Sequence, residues 1–251
     1  MNCKQPDKAE IRQLLQLWKA VFGEYDGFWE LFLGTGFQPD HCRCIVENGQ
    51  VTAGLSWFDC TCGKDRIAYV YAVVTDPAHR GKGLCRKLIA EVHSLLQQDY
   101  AGVMLVPAEK GLREMYRKMG YDECTTVSEL VCTVGETSTE IRTIDAEEYA
   151  RLRREYLPEM GVLQEGKNLS FLSAQAQLFA GADFLLAAYL ENDRLQGMEL
   201  LGNTAAAPEI LRALGCKTGT FQIPGKDRPY AMLHKLKEDA ATPRYFGLAF
   251  E

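Results

Sequence analysis

The sequence predicts an α/β protein in two parts, each a mixed sheet with flanking helices, the second part the smaller. Three observations carry this expectation. Apolar runs of strand length alternate with amphipathic helical stripes between residues 9 and 134. A small, polar stretch, Gly135-Glu136-Thr137-Ser138-Thr139-Glu140, then reads as a linker. A second series of strand and helix patterns fills the rest, so the expected domains are residues 1–135 and 136–251.

In the first part, residues 9–22 place Ile11, Leu14, Leu15, Trp18 and Phe22 on one helical stripe. Residues 26–33 predict a short helix rich in aromatics, with Phe28, Trp29 and Phe32. With Phe37 these rings could wall a pocket for an acceptor, although aromatics at helical spacing equally suit a core. Asn48-Gly49 is a tight-turn signal between two strand patterns, residues 41–47 and 50–59, and its register sets Cys44 near Ala53. Residues 67–75 predict the central strand. Residues 83–97 predict a helix whose Leu84, Leu88, Val92, Leu95 and Leu96 face the sheet. A strand at 103–107, a helix at 111–119 and a closing strand at 127–134 complete this part. The second part reads as a strand at 141–144 and helices at 146–157, 169–180 and 207–214. Its other strands fall at 184–190, 196–201, 220–223, 230–237 and 245–250.

Composition limits the partners. An apolar content of 47% and a charged content of 25% over 251 residues are ordinary for a soluble globular chain. The net charge of −6 argues against broad nucleic-acid binding and against anionic membrane surfaces. Residues 1–7 carry no apolar run of a signal peptide, and no segment approaches the roughly 20 apolar residues of a membrane span, so a cytoplasmic protein is expected. Nine cysteines fit free thiols in a reducing compartment. Cys42-x-Cys44 and Cys60-x-Cys62, with His41 nearby, invite a zinc reading. Zinc pairs are usually separated by two or more residues, so these thiols are expected as small apolar filler and no metal is expected.

The most informative stretch is Arg80-Gly81-Lys82-Gly83-Leu84-Cys85. It lies between a strand and a helix start. The first amides of a helix lack intrahelical partners, and the helix dipole adds positive charge there. Glycines admit close approach of an anion, and Arg80 and Lys82 add full charges. Neither the triphosphate-loop pattern nor the three-glycine dinucleotide pattern is present. Read alone, the tetrapeptide suits a pyrophosphate seat or a solvated basic turn. Cys85, at a helix N-terminus beside two cations, has grounds for a lowered thiol pKa, and as a small residue it also simply fits the turn.

In context, residues 73–84 resemble the acyl-coenzyme A loop of the GNAT acyltransferase family, whose pattern is Arg/Gln-x-x-Gly-x-Gly/Ala after a strand ending near a proline. Arg80 and Gly83 take the defined positions, and Cys85 stands where Gly or Ala is usual. After the next strand, Leu112-Arg113-Glu114-Met115-Tyr116-Arg117-Lys118-Met119-Gly120-Tyr121 resembles the family's Leu-x-x-x-Tyr-x-x-x-Gly-Phe helix. The resemblance implies a GNAT fold followed by a smaller, degenerate GNAT-like domain. In that domain Gly202-Asn203-Thr204-Ala205-Ala206-Ala207 replaces the loop without a basic residue. This layout, and especially residues 17–23, is similar to bacterial tandem acetyltransferases related to the enhanced intracellular survival protein, which implies possible assembly into homo-oligomers.

The same resemblance implies the chemistry: an N-acetyltransferase that moves an acetyl group from acetyl-CoA to a primary amine of a small molecule or peptide. It assigns the backbone of Val73, Val74 and Thr75 to the pantetheine arm. Arg80, Gly81, Lys82, Gly83, Leu84 and Cys85 fall to the pyrophosphate, and Tyr116 to the general acid. Tyr116 shares a helix face with Leu112, Met115 and Met119, so it suits a core position as well. The base is not written in the sequence. Glu109, Asp59, the terminal carboxylate of Glu251 or a water remain open, since residues 67–75 contain no acid. A silent acyl-CoA binder, serving as a sensor or an assembly part, is the alternative.

Overall fold

The computed structural model describes residues 2–23 and 27–250. The start of the second helix at Asp26 and the terminal carboxylate of Glu251 therefore lie outside the described residues. In chain order the elements are β1 (Asn2–Lys4), α1 (Lys8–Phe22), α2 (Phe28–Thr35), β2 (Cys42–Glu47), β3 (Gln50–Cys62), β4 (Asp65–Thr75), α3 (Leu84–Leu96), β5 (Gly102–Leu105), α4 (Lys110–Arg117), β6 (Asp122–Glu123) and β7 (Thr126–Thr133). They continue as β8 (Arg142–Thr143), α5 (Ala146–Tyr156), β9 (Leu163–Gln164), α6 (Lys167–Gln175), β10 (Gln177–Ala180), β11 (Phe184–Glu191), β12 (Arg194–Gly202), α7 (Ala207–Ala213), β13 (Thr218–Pro224), β14 (Arg228–Pro229) and β15 (Met232–Lys235).

The first sheet runs β1-β2-β3-β4-β5-β15-β6. Helix α1 begins with a capping box, in which the Asp7 carboxylate accepts from the amides of Ala9 and Glu10 while Glu10 accepts from the Asp7 amide. Its Leu14 and Trp18 are buried, and Gly54 leaves room for the Leu14 side chain. Trp18, Trp29, Phe32 and Phe37 pack ring on ring at centroid distances of 5.5 to 6.2 Å, and all four are buried. Of the four rings read as a possible pocket wall, Trp29, Phe32 and Phe37 are buried in this core and Phe28 is half-buried. In the hairpin, Asn48 and Gly49 both take positive φ, 51° and 78°, as the turn signal requires. Cys44 pairs with Gly54, one residue from the expected register, because the ladder bulges between Ile45 and Val46. Cys42, Cys44, Cys60 and Cys62 are buried. Among the described residues no group of three or more His, Cys, Asp or Glu could hold a metal ion. Helix α3 buries Leu84, Leu88, Ile89, Val92 and Leu96. Leu95, expected on that face, is 44% exposed.

The two compact units of the chain interleave along the sequence. One comprises residues 1–60, 65–122 and 233–240, the other residues 61–64, 123–232 and 241–251. Strand β7, expected to close the first sheet, pairs antiparallel with β13 from Val127↔Pro224 to Thr133↔Thr218. The place beside β5 is taken by β15.

The second sheet runs β14-β7-β13-β12-β11-β10-β8. Strands β12 and β13 are parallel and joined through α7. This repeats the arrangement of β4, α3 and β5. Helix α7 packs Ala207, Ile210 and Leu211 against Phe184, Leu186, Leu200 and Phe221. The helix expected over 169–180 ends at Gln175, and residues 177–180 are strand β10, held in register against β11. The strand expected over 245–250 is absent as a strand. That tail makes one bridge, Gly161↔Tyr245, yet Tyr245, Phe246, Leu248, Ala249 and Phe250 are all buried. Two side-chain amides hold it instead: Gln164 donates to the Leu248 carbonyl at 2.5 Å and Gln222 to the Gly247 carbonyl at 2.6 Å.

Candidate active site

Strands β4 and β5 pair in parallel over only Ile67↔Gly102, Ala68↔Val103 and Tyr69↔Met104. Strand β5 ends at Leu105, whereas β4 runs on to Thr75. Within this extension Ala72 has φ 54°, a left-handed value that breaks the pleat and costs a non-glycine residue about 1–3 kcal/mol. Its carbonyl accepts a 3.0 Å hydrogen bond from the buried Trp18 indole Nε1. The aromatic core thus fixes the irregular strand. Val73 and Thr75 are half-buried and Val74 is 2% exposed.

A short turn of helix follows, Pro77–His79, capped by the Asp76 carboxylate on the Ala78 amide at 2.9 Å. The Arg80 guanidinium folds back to the Thr75 carbonyl, 3.4 Å away. Gly81 and Gly83 take φ 77° and 76°, and a Cβ built on either meets nothing within 4 Å. Positive φ explains the glycines, and the open space beside them leaves the loop backbone approachable. Gly83 is the N-cap of α3, with no side chain capping the helix. The amides of the first turn therefore have no side-chain cap, and Arg80 and Lys82 just before them are both in exposed positions. This geometry fits a diphosphate ester. Of the two readings of Cys85, the small packed residue fits: burial pushes its thiol up to about 11, so it is not an activated thiol.

Tyr116 lies on α4 and is 5% exposed. Burial first, then the neighbouring Cys85, raise its hydroxyl pKa. Tyr116 is thus near enough to Cys85, in the first turn of α3, to feel its charge. Glu109 is the N-cap residue of α4, exposed, and makes no cap hydrogen bond. Asp59 sits elsewhere. It accepts from the Tyr100 hydroxyl at 2.5 Å and pairs with Arg66 at 2.8 Å. Burial raises its pKa, but these two hydrogen bonds outweigh that and hold it below the ordinary range. The Arg66 carbonyl accepts from the Ala101 amide at the beginning of β4, whereas Thr75 is the far end of that strand, roughly 30 Å away at strand rise. In the second unit, the loop after β12 carries no cation. Asn203 instead donates to the Asp183 carboxylate at 2.9 Å.

An irregular parallel strand splayed from its neighbour, a glycine turn and a bare helix start thus adjoin in one α/β unit. Residues 2–124 match the model of the acetyltransferase (GNAT) domain. This part of the chain belongs to the GNAT acetyltransferase family, whose fold serves acyl transfer from acyl-CoA. No curated protein matches the sequence. Among solved structures, a GCN5-related N-acetyltransferase from Anabaena variabilis superposes with a TM-score of 0.73 at 16% identity, over 94% of this chain and 73% of that one. Eis1 from Mycobacterium abscessus gives 0.68 at 11% identity, over 94% and 74%. A tandem GNAT protein from the clavulanic acid biosynthesis pathway gives 0.57 at 12% identity, over 95% and 100%. At these identities the likeness is one of fold. It extends over both units, which form a tandem GNAT arrangement.

Two features of the site escaped the sequence. Ala72 lies in a run, Tyr71-Ala72-Val73-Val74, that reads as plain strand. The Trp18 contact to it links residues far apart in the chain.

Proposed function

We propose that the chain is an acetyl-CoA-dependent N-acetyltransferase acting by direct attack of a primary amine of a small molecule or peptide. The observation that carries this reading is the continuous path from the irregular end of β4, through the Gly81 and Gly83 turn, to the α3 N-terminus, with Tyr116 beside it. Val73, Val74 and Thr75 would pair their backbone with the pantetheine arm as an added strand. Gly81, Lys82, Gly83, Leu84 and Cys85 would offer main-chain amides to the pyrophosphate, and Arg80 and Lys82 would add charge. Acetyl-CoA supplies a thioester whose C–S bond breaks as the amine nitrogen forms the new C–N bond. Tyr116 holds the proton that the leaving thiolate takes. The amine loses its proton to Glu109 or to water. The second unit serves as a scaffold and not as a second coenzyme site, since the loop after β12 carries no cation and its Asn203 is bonded to the Asp183 carboxylate.

Thiol release from acetyl-CoA, measured across a panel of amines with the purified full chain, tests this function. Amine-dependent release that is lost in Tyr116→Phe is the expected result. Acetyl-CoA binding without release for any amine would replace the enzyme by a silent binder.

A further inference from the structure

Four rings meet at the C-terminal end of α4. Tyr116 and Tyr121 lie edge to face, with centroids 5.7 Å apart. The Tyr121 hydroxyl is hydrogen-bonded to His93 Nε2 of α3 at 2.8 Å. The His93 ring stacks on that of His234 of β15 at 3.9 Å and 11°. His234 Nδ1 donates to the Gly120 carbonyl at 2.9 Å.

The backbone closes the same circuit. The Tyr116 carbonyl accepts from the amides of Met119 and Tyr121, at 2.8 and 3.2 Å. Gly120, at φ 88°, makes the turn between them, and a Cβ there would meet His234 Nδ1 at 2.9 Å. Tyr121 is fully buried. Packing alone would be met by a phenylalanine, whereas the hydroxyl admits one ring orientation, the one that reaches His93. Burial first, then His234, lower the His93 pKa to about 4, so His93 is neutral at neutral pH and one proton satisfies the Tyr121–His93 pair.

We propose that His93 and His234 are positioning residues that act through Tyr121 and Gly120 to aim the Tyr116 hydroxyl. Two elements far apart in sequence, α3 and β15, thereby lock the end of the helix that bears the acid. The proposal rests on the acid role given to Tyr116.

The test uses the full chain labelled at the tyrosine ζ carbon, with the Tyr116 signal assigned by its loss in Tyr116→Phe. His93→Phe keeps a ring on His234 and deletes the hydrogen-bond acceptor. It should shift or broaden the Tyr116 signal while the Kd for acetyl-CoA, read by calorimetry, stays within about twofold. His93→Gln restores an acceptor and should restore the signal. In thiol release, His93→Phe should lower kcat by about ten- to a hundredfold at unchanged KM for acetyl-CoA. It should add nothing when combined with Tyr116→Phe. Tyr121→Phe removes the same hydrogen bond from the other side and carries the test if the histidine variant does not fold. An unmoved Tyr116 signal, or effects on kcat that multiply fully in the double variant, would overturn the proposal. A displaced signal with normal turnover in Tyr116→Phe would uphold the coupling and reject the acid role instead.

Discussion

Tyr116 keeps its proton well beyond neutral pH, because burial and then Cys85 raise its pKa above the ordinary 10.0. A group that never ionises in the working range imposes no alkaline limb. The rate profile of the wild type should therefore show no loss of turnover assignable to Tyr116 up to about pH 10. Tyr116→Phe should lower turnover by roughly ten- to a thousandfold while acetyl-CoA affinity holds. His93 gives a second consequence of burial. Its folded pKa, about 4, lies below the unfolded 6.5, so the unfolded chain takes up the proton first. The stability it contributes is complete above pH 6.5 and is lost as pH falls toward 4. The groups around it, Tyr121 and His234, change nothing in that sign: Tyr121 is driven up by burial, and a charged His234 would only push His93 lower. Melting curves should fall more steeply between pH 6.5 and 4 for the wild type than for His93→Gln; equal slopes would contradict a neutral, half-buried imidazole. At this scale the site was half legible. Gly81 and Gly83 could be read because left-handed turns leave a local mark. For the Cys85 thiol the sequence left two readings, since helix start and cations argue for a lowered pKa, and tertiary burial decides for the packed small residue.

At the scale of elements, the second unit depends on charges placed where a sequence shows none paired. Arg153 and Glu199 are 1% and 0% exposed and joined at 2.6 and 2.9 Å, with Tyr149 donating to the same carboxylate at 3.0 Å. A buried pair loses more when broken than when replaced whole. Arg153→Met should cost about 3–5 kcal/mol in denaturant unfolding, and adding Glu199→Leu should recover most of it. Gly247 lies against the Glu199 carboxylate, and a Cβ there would overlap it. Gly247→Ala should therefore lower the melting temperature of the chain, whereas Gly27→Ala, with open space around it, strains only its own backbone. Helices α1 and α3 could be read from their apolar stripes, and α5 and α7 end within one residue of their expected bounds. The α6–β10 boundary could not, because Leu178 and Phe179 continue an apolar pattern that strand pairing with β11 settles. The tail at 245–250 reads as a strand for the same reason. Its apolar residues are buried, but side-chain amides of Gln164 and Gln222 replace the ladder.

For the whole molecule, the order of elements along the chain was legible and the destination of two strands was not. β7 and β15 have ordinary strand patterns, and nothing local says that each pairs with strands distant in sequence. The exchange has a consequence for dissection. A fragment of residues 1–135 lacks β15, so the edge of β5 is left bare and His93 loses His234. Such a fragment should be aggregation-prone and should lack the dispersed amide spectrum of the intact chain; a soluble, folded fragment would argue that β15 is dispensable. On the proposed function, the loop after β4, and not its counterpart after β12, receives acetyl-CoA. Titration calorimetry of the intact chain with acetyl-CoA measures this directly. One molecule should bind per chain, and none in Gly83→Glu, which sets bulk and negative charge on the approachable side of the turn. No binding to the wild type, two molecules per chain, or undiminished binding in Gly83→Glu would contradict it.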